Sequence, residues 1–551
     1  MKIAIAQTNP TVGDLGGNRK KVEEAAARAT DAGADLVVLS EMVITGYPPM
    51  DLLSRDGFVR DQLVELERLR AASRKIPILL GAVMPSQDDP SKDLVNAAVL
   101  LADGREHAVQ AKSLLPTYDV FDERRYFAAS RKRAPIALPG SNIPLGLVVC
   151  EDSWTSDVSY GVDPVAELVD AGASIILNPS SSPWHVGKSS ERRAMLSRLA
   201  RRHGTPIVFV NQVGGNDELV FDGGSFVVDG RGNCLASLPL FEASFCVVDV
   251  PEPGGASAGD RTIDVTPLEP AAELEAGLVL GIHDYFAKQN LPPNAVIGLS
   301  GGIDSAVTAH LAVRALGAKR VLGVAMPGPF SSEHSVDDAL ALAHNLGIEV
   351  RTVDIRPLYD SYIGVFRDLF GPRDDYGLTQ QNVQSRIRGN VLMAISNHDQ
   401  RLVLATGNKS ELSLGYCTLY GDTVGGLAVL GDVYKRDVYA LALRANLEGE
   451  RIPRNTIDKP PSAELAVGQL DENDLPPYDV IDAVLEQAIE GELGADSVEA
   501  PAGCALDTAK QVAQRLDRNE YKRRQSPLVL RTSEKAFGSG RRLPIVHRYR
   551  A

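Results

Sequence analysis

The segment that most constrains the fold lies near the middle of the chain, where an apolar run breaks into a Ser-Gly-Gly turn and continues in a helical pattern. The run covers residues 295–299, the turn is Ser300-Gly301-Gly302, and the helical pattern continues past Ser305. Adjacent glycines let backbone N–H groups approach an oxyanion closely, and the positive end of a helix dipole favours the same charge. This strand, turn and helix predict a phosphate-binding loop.

The turn also carries an acid, Asp304, whose carboxylate could hold Mg²⁺ beside bound phosphates. It contains no lysine, unlike the glycine-rich loop that binds a transferable γ-phosphate. The segment resembles the Ser-Gly-Gly-X-Asp-Ser loop of the ATP pyrophosphatases, which cleave ATP to AMP and PPi. A glycine-rich turn without a ligand is the alternative. The resemblance implies ATP binding by Gly298, Leu299, Ser300, Gly301, Gly302, Ile303, Asp304 and Ser305.

Composition limits the class of protein. A chain of 551 residues with 44% hydrophobic and 23% charged residues is too long for one core, so we expect at least two globular domains. A net charge of −15 argues against nucleic acid or an anionic membrane as a partner. Without a signal sequence or a long apolar run, we expect a cytoplasmic protein. The five cysteines form no CysXXCys pair, so neither a disulfide framework nor a zinc site is predicted.

Apolar runs alternate with amphipathic helical stretches through both halves of the chain, which is the pattern of an α/β protein. The pattern fades across residues 250–269, where Pro and Gly are frequent. We therefore predict a first domain over 1–250, a linker over 251–272 and a second domain over 273–551. In the second half, strands at 295–299, 321–325, 350–353 and 402–405 predict a doubly wound parallel sheet.

In the first half, three reactive side chains each follow a strand-like run: Glu41, Lys112 and Cys150. A carboxylate and an ammonium beside a thiol can remove its proton and stabilise the anion that it forms. Taken singly, each residue has a simpler explanation: a helix N-terminal acid, a surface charge or a small buried apolar group. Composition alone favours these simpler explanations, and the surrounding motifs change that balance towards catalysis.

The motifs around these residues resemble the nitrilase/amidase superfamily over residues 1 to 250. They are Ser40-Glu41, Lys112-Ser113-Leu114-Leu115-Pro116 and Cys150-Glu151-Asp152-Ser153-Trp154. The resemblance implies an αββα sandwich, with Cys150 as nucleophile, Glu41 as general base, Lys112 as oxyanion stabiliser and Glu123 as a supporting acid. It also implies glutamine contacts at Tyr118, Ser182 and Lys188.

Together, the two halves resemble the glutamine-dependent NAD⁺ synthetases along essentially the whole chain. Further matching segments include residues 382–390, 405–411, 420–422, 459–465 and 521–524. The second half would then be a Rossmann-like ATP-pyrophosphatase domain. The resemblance implies ATP binding by Thr406, Mg²⁺ binding by Asp304 and Glu411, deamido-NAD⁺ contacts at Asn382, Glu411 and Lys522, and phosphate contacts at Lys435 and Ser462. Leu419 departs from the pattern, because ammonia-dependent relatives carry a lysine there.

The resemblance implies that glutamine hydrolysis supplies ammonia to an adenylated nicotinate through an internal tunnel, in an enzyme that is at least a homodimer. Three alternatives remain. The first is another glutamine amidotransferase of the GMP- or asparagine-synthetase type, although Cys150 lacks the glycine-flanked turn of the GMP class. The second is a tRNA-modifying enzyme, which the acidic charge disfavours. The third is a regulatory protein that binds an amide without hydrolysing it, which the complete triad disfavours.

Overall fold

The computed structural model describes residues 1–86, 92–155, 160–252 and 268–549. It divides into two compact units, Met1–Leu268 and Glu269–Ala551. Most of the predicted linker lies outside the described residues. Its last three residues are helical, because the first helix of the second unit begins at Pro270.

The first unit contains thirteen strands and four α-helices among its described residues. The strands are β1 (Lys2–Gln7), β2 (Leu36–Val38), β3 (Ile78–Pro85), β4 (Leu94–Ala102), β5 (Arg105–Ala111), β6 (Leu145–Leu147), β7 (Ile175–Ser180), β8 (Ile207–Asn211), β9 (Val213–Asn216), β10 (Leu219–Asp222), β11 (Phe226–Val228), β12 (Cys234–Ser237) and β13 (Ser244–Asp249). The helices are α1 (Leu15–Asp31), α2 (Phe58–Leu69), α3 (Pro164–Asp170) and α4 (Lys188–His203).

Two sheets pack face to face in this unit. One has the order β13-β1-β2-β3-β4-β5, the other has the order β12-β11-β8-β7-β6, and β9 and β10 form a separate hairpin. Alternation along β1 sends Ile3 and Ile5 into the core between the sheets and Ala4 and Ala6 towards α1. The second sheet likewise packs its outer face on α3 and α4. The predicted αββα sandwich is confirmed.

The second unit contains six strands and eleven helices among its described residues. The strands are β14 (Ala295–Leu299), β15 (Val321–Ala325), β16 (Glu349–Thr352), β17 (Leu402–Ala405), β18 (Leu427–Ala428) and β19 (Leu528–Val529). The helices are α5 (Pro270–Lys288), α6 (Ile303–Leu316), α7 (Glu333–Leu346), α8 (Arg356–Phe370), α9 (Leu378–Asp399), α10 (Lys409–Leu414), α11 (Lys435–Ala445), α12 (Arg454–Asp458), α13 (Tyr478–Ile489), α14 (Leu506–Arg518) and α15 (Glu520–Arg523).

The six strands form one parallel sheet in the order β16-β15-β14-β17-β18-β19. The chain starts at β14, moves outwards to β16, then returns to β17 on the other side of β14. This is the doubly wound order that was predicted. Ligands of such sheets bind at the carboxyl ends of the two strands where the winding reverses, which here are β14 and β17.

Several predicted boundaries differ from the structure. The apolar run over residues 145–150 predicts a strand that reaches Cys150, but the strand ends at Leu147, and Cys150–Ser153 form a 3₁₀ turn. Val148 and Val149 continue the apolar pattern of the strand. Both lie after its last residue and are buried in the hydrophobic clusters on its two sides. The helix pattern gives way to surface-loop composition near residues 370–376 and 490–503, and the structure agrees, because α8 ends at Phe370 and α13 ends at Ile489.

Two further observations concern the cysteines and the length of the helices. All five cysteines are free. No helix among the described residues is both long and apolar enough to cross a bilayer.

Candidate active sites

The three predicted catalytic residues of the first unit all lie just beyond strand ends. Glu41 follows β2, Lys112 follows β5 and Cys150 follows β6, and each is at most 5% exposed. The backbone at Glu41 passes close to Gly81 in β3. A Cβ atom on Gly81 would lie only 2.3 Å from the Glu41 Cα atom, so this position requires glycine.

Lys112 lies between two carboxylates. Its Nζ donates to Glu41 Oε1 at 2.9 Å and to Glu123 Oε1 at 2.7 Å. Asn96 Nδ2 also donates to Glu41 Oε1 at 2.6 Å, and the Tyr47 hydroxyl donates to Glu123 Oε1 at 2.9 Å. Because every member is buried, these hydrogen bonds compensate for the loss of water and fix the charged groups in place.

The second carboxylate oxygen of Glu41 accepts the backbone N–H of Ser181 at 2.9 Å. The pKa of Glu123 is raised to about 7, chiefly by burial and by the neighbouring Glu41 charge, although Lys112 opposes the shift. The pKa of Lys112 is raised well above its usual value, because the two glutamates outweigh its own desolvation. These two pKa shifts favour a charged Lys112 ammonium and a Glu123 carboxyl that keeps its proton up to near neutral pH.

Cys150 occupies a strained turn. Its φ of 45° is in the left-handed region, which a non-glycine residue adopts rarely. Its N–H donates to Asn178 Oδ1 at 2.7 Å. Burial and Glu41 raise the pKa of the thiol, whereas Lys112 lowers it. The resting sulfur is therefore a thiol, and it needs a base to become a nucleophile.

The three predicted glutamine contacts lie in different surroundings. The hydroxyl of the half-exposed Tyr118 donates to Glu151 Oε1 at 2.9 Å, next to Cys150 in sequence. Lys188, the first residue of α4, lies with Nζ 4.3 Å from the centre of the Trp154 ring. Ser182 is buried, and its N–H donates to Asn211 Oδ1 at 2.8 Å.

The phosphate loop of the second unit has the predicted geometry. Gly301 has a φ of 75°, and a Cβ atom there would lie 2.3 Å from the Ser335 carbonyl oxygen. Gly302 is the N-cap residue of α6. The hydroxyls of Ser300 and Ser305 are 3.2 Å apart, and Ser300 Oγ accepts the Gly302 N–H at 3.2 Å. The loop thus ends at a helix N-terminus at the carboxyl end of β14.

The two predicted metal ligands come together at the reversal point of the sheet. Lys435 Nζ donates to Asp304 Oδ2 at 2.6 Å and to Glu411 Oε1 at 3.2 Å. Asn408, which caps α10 three residues after the end of β17, donates to Asp304 Oδ1 at 2.8 Å. Burial and the Asp304 charge raise the pKa of Glu411 to about 8, which Lys435 opposes. The negative charges of Asp304 and Glu411 therefore make this site electrostatically favourable for a further cation.

The donor set fits Mg²⁺. Two carboxylates, on Asp304 and Glu411, already converge on a positive charge, and carboxylate oxygens are the ligands that Mg²⁺ takes in proteins. Each of these side chains is 18% exposed, so a metal bound with its waters and phosphates could reach both.

The remaining predicted contacts lie in four separate segments of the second unit, two of them helices and two of them loops. Asn382 on α9 accepts from the Thr418 hydroxyl at 2.9 Å. Lys522 on α15 donates to the carbonyls of Gly415 and Cys417 at 2.7 and 2.8 Å. Thr406 lies directly after β17. Ser462 accepts the Glu464 N–H at 3.1 Å.

The loop that carries the sequence departure lies beside the Asn382 helix. The Leu419 carbonyl accepts from Arg386 Nε at 3.2 Å, and Tyr420 next to it is 67% exposed.

The sequence prediction missed several polar residues that support these sites. Asn96, Tyr47 and Asn178 contact the catalytic residues of the first unit, and Asn408 contacts Asp304 in the second. Arg192 was also missed: it is fully buried, donates to the Ser182 carbonyl at 3.2 Å and pairs with Asp222. A polar residue inside an apolar strand, such as Asn96 in β4, was the available signal.

Family profiles match both units. The carbon–nitrogen hydrolase family matches residues 2–257, and the NAD synthase family matches residues 275–526. The protein is therefore of the class that joins a carbon–nitrogen hydrolase to an NAD synthase in one chain.

Full-length relatives identify the family. The glutamine-dependent NAD(+) synthetase of Synechocystis is 42% identical over 99% of both chains. That of Thermotoga maritima is 40% identical over all of this chain and 99% of its own. The solved glutamine-dependent NAD+ synthetase from Acinetobacter baumannii is 37% identical, with a TM-score of 0.76 over 99% of this chain and 98% of its own. The chain belongs to the glutamine-dependent NAD⁺ synthetase family.

Proposed function

We propose that the protein converts deamido-NAD⁺, ATP, L-glutamine and water into NAD⁺, AMP, PPi and L-glutamate. The observation that carries this proposal is the presence of two distinct centres in one chain. One has a buried cysteine beside a glutamate–lysine pair, and the other has a phosphate loop beside paired carboxylates. The reaction belongs in the cytoplasm, where ATP and glutamine are available.

In the first half-reaction, Glu41 takes the proton of the Cys150 thiol, and the sulfur attacks the side-chain amide carbon of glutamine. Lys112 stabilises the oxyanion that develops on the amide oxygen. Glu41 returns the proton to the leaving nitrogen, which releases ammonia and leaves a thioester. Water activated by Glu41 then hydrolyses the thioester to glutamate. Glu123 supports this exchange by sharing Lys112 with Glu41.

Glutamine itself would lie among Tyr118, Ser182 and Lys188. The ammonium of Lys188 offers a counter-charge for the α-carboxylate of glutamine, and the hydroxyl of Tyr118 offers a polar contact beside Glu151. Ser182 is held from both sides by Asn211 and Arg192, so it would form a rigid wall of the pocket.

In the second half-reaction, a carboxylate oxygen of the nicotinate group attacks the α-phosphorus of ATP, and PPi leaves. The N–H groups of the loop Gly298 to Ser305 stabilise the charge that gathers on PPi. Ammonia then attacks the adenylated carbonyl carbon, AMP leaves, and the amide of NAD⁺ remains. Thr406 contacts ATP, and Lys435 and Ser462 contact its phosphates. The solved relative from Acinetobacter baumannii holds adenosine diphosphate, which supports an adenine nucleotide here.

The substrate acid would be held by Asn382, Glu411 and Lys522. Mg²⁺, the proposed cofactor, would be held by Asp304 and Glu411, where it would supply positive charge to the leaving PPi. The two carboxylates would meanwhile keep Lys435 oriented towards the phosphates.

Ammonia must be delivered from the glutaminase centre without protonation, because ammonium has no lone pair with which to attack. A second glutamine amidotransferase activity, with a different carboxylate acceptor, is the alternative function. It would use the same two centres and differ at Asn382, Lys522 and the loop that contains Leu419.

We also propose a homo-oligomer, at least a dimer, formed through the second unit. Four apolar residues of α8 are between 44% and 68% exposed and are spaced four, three and four apart, which places them on one helix face: Leu358, Tyr362, Val365 and Leu369. An identical face on a second copy would cover this surface. Light scattering of the wild type and Val365→Lys would test it, with a smaller particle expected for the variant.

The test of the proposed function is mass spectrometry of the products made from deamido-NAD⁺, Mg-ATP and glutamine labelled in its amide nitrogen. A parallel reaction contains excess unlabelled ammonium. We expect labelled NAD⁺ with equimolar AMP and glutamate, and label that persists despite the ammonium. Glutamate without NAD⁺ would favour another acceptor, and neither product would overturn the proposal.

A further inference from the structure

Asp152 holds two catalytic segments of the first unit together. Its side chain is buried and accepts three backbone N–H groups. Oδ2 accepts from Val149 at 3.1 Å, and Oδ1 accepts from Ser113 at 2.9 Å and from Leu114 at 2.8 Å. Val149 immediately precedes Cys150, and Ser113 immediately follows Lys112. One carboxylate thus joins the segment of the nucleophile to the segment of the lysine.

These two segments belong to different sheets. Lys112 follows β5, the last strand of one sheet, and Cys150 follows β6, the last strand of the other. No strand pairing between β5 and β6 exists in the described part of the unit, so no ladder sets the position of one relative to the other. Side-chain packing between sheets is tolerant of small shifts, whereas three hydrogen bonds to one carboxylate fix a distance.

We propose that Asp152 is a positioning residue for glutamine hydrolysis, which sets the placement of the Lys112 ammonium relative to the Cys150 sulfur. The inference rests on the proposed function, because it assumes that these two groups act on one substrate. A misplacement of about 1 Å at a reacting group can cost about 100-fold in rate. Loss of the Asp152 contacts would cause a shift of this kind without removing any reacting group.

The chemistry of the three contacts suggests an informative substitution. In Asp152→Asn, the amide oxygen can still accept from Ser113 and Leu114, but the amide NH₂ would face the Val149 N–H, and two donors repel. The variant therefore keeps the tie to the lysine segment and loses the tie to the Cys150 turn. Asp152→Glu keeps the charge with a chain one methylene longer, so it can restore all three contacts only in part.

The experiment uses the full-length protein. Glutamate release gives kcat and KM for glutamine, and NAD⁺ formation with added ammonium gives the activity of the second unit. For Asp152→Asn we expect kcat for glutamine hydrolysis to fall about 100-fold with KM for glutamine little changed, and ammonia-supported NAD⁺ synthesis to stay at the wild-type rate. Asp152→Glu should recover part of the lost kcat.

Asp229→Asn is the matched control. Asp229 is also buried and accepts two backbone N–H groups, from Arg231 and Asn233, both at 2.8 Å. It holds the turn between β11 and β12, which carries none of the three catalytic residues. This variant should lose stability in thermal unfolding but keep kcat for glutamine hydrolysis.

Several results would overturn the inference. They are a normal kcat in Asp152→Asn, a rise in KM alone, an equal loss of ammonia-supported synthesis, or an equal loss of kcat in the Asp229 control. If Asp152→Asn does not fold, Asp152→Glu decides, and a normal kcat there overturns the inference. A wild-type protein that releases no glutamate would instead overturn the proposed function, so the two failures are distinguishable.

Discussion

The candidate site of each unit contains a buried lysine between two carboxylates, Lys112 in the first unit and Lys435 in the second, but the surroundings of these two lysines differ. In the first unit, the two glutamates around Lys112 are at most 4% exposed and receive further hydrogen bonds from Asn96, Tyr47 and a backbone N–H. In the second unit, the carboxylates around Lys435 are 18% exposed and receive fewer donors.

The difference teaches what each arrangement is suited to do. A closed set of charges whose hydrogen bonds are saturated keeps one geometry and can pass protons among its own members. Carboxylates that are open on one side, with spare oxygen lone pairs, can accept a further cation. The same three charges can therefore form a fixed acid–base centre or a cation site, depending on the donors around them.

The largest expected effect comes from removing the nucleophile of the closed centre. Cys150→Ala should lower the rate of glutamine-supported NAD⁺ synthesis by at least about 10⁴-fold, because no other atom of the centre can form the thioester. Ammonia-supported synthesis should remain, since it needs only the second unit. Coupled measurement of NAD⁺ with each nitrogen source tests this, with Cys246→Ala, another free cysteine of the same unit, as the control. Glutamine use by Cys150→Ala would refute the nucleophile assignment.

The next effect concerns the open centre. Asp304→Asn should lower NAD⁺ synthesis from either nitrogen source by about 10²–10³-fold, because one of the two carboxylates proposed to hold Mg²⁺ beside the departing PPi is lost. Glutamate release from glutamine should continue. Asp437→Asn, a half-exposed carboxylate on α11, is the control and should leave turnover unchanged. Equal loss of both activities in Asp304→Asn would instead indicate a folding defect.

A smaller effect should distinguish the role of Lys435 in the second unit from that of Lys112 in the first. If Lys435 shares its carboxylates with a metal, Lys435→Met should tighten Mg²⁺ binding to the nucleotide-free protein by about tenfold, since one positive charge no longer competes. Turnover should fall nevertheless, because a phosphate contact is lost. Calorimetric titration with MgCl₂ alone measures the affinity, and Arg436→Met supplies a nearby exposed control. Unchanged or weaker Mg²⁺ binding would contradict the idea of a shared site.

The smallest effect is a dependence of stability on pH. Burial and Glu41 raise the pKa of Glu123 from 4.5 to about 7. Between these values the folded state holds a proton that the unfolded state has lost, so this contribution is present below pH 4.5 and is lost as the pH rises through 7. In the wild type, the free energy of unfolding should therefore fall by on the order of 1–3 kcal/mol across this pH range. Glu123→Gln should abolish this decrease.

The chain is well suited to this last measurement. Its two tryptophans, Trp154 and Trp184, both lie in the first unit, so their fluorescence during urea unfolding reports that unit. A wild type and a Glu123→Gln variant with parallel pH profiles would show that Glu123 does not hold its proton.

Much of this arrangement could be predicted from sequence, because both centres lie at strand ends and strands are visible as apolar runs. Glu41, Lys112 and Cys150 each follow such a run, and the phosphate loop follows β14. The doubly wound parallel sheet and the sandwich were also predicted correctly. These features depend on local patterns, or on motifs that are continuous in the chain.

The supporting residues could not be predicted in the same way. Asn96 lies inside β4, where its neighbours indicate a core strand, and its partner Glu41 is 55 residues away. Lys435 was predicted only as a phosphate contact, because nothing near it in sequence indicates the two acids that it joins. The end of β6 before Cys150 was missed, since Val148 and Val149 extend the apolar pattern through a turn.

The close approach of Gly81 to Glu41 limits how this centre can evolve. Any side chain at position 81 would displace the backbone that carries Glu41, so we expect no single substitution there to be neutral. We expect substitutions at position 81 to be selected against, both in natural evolution and in laboratory libraries. New amide specificity must therefore arise at other positions, such as Tyr118 and Lys188, whose side chains contact Glu151 and Trp154.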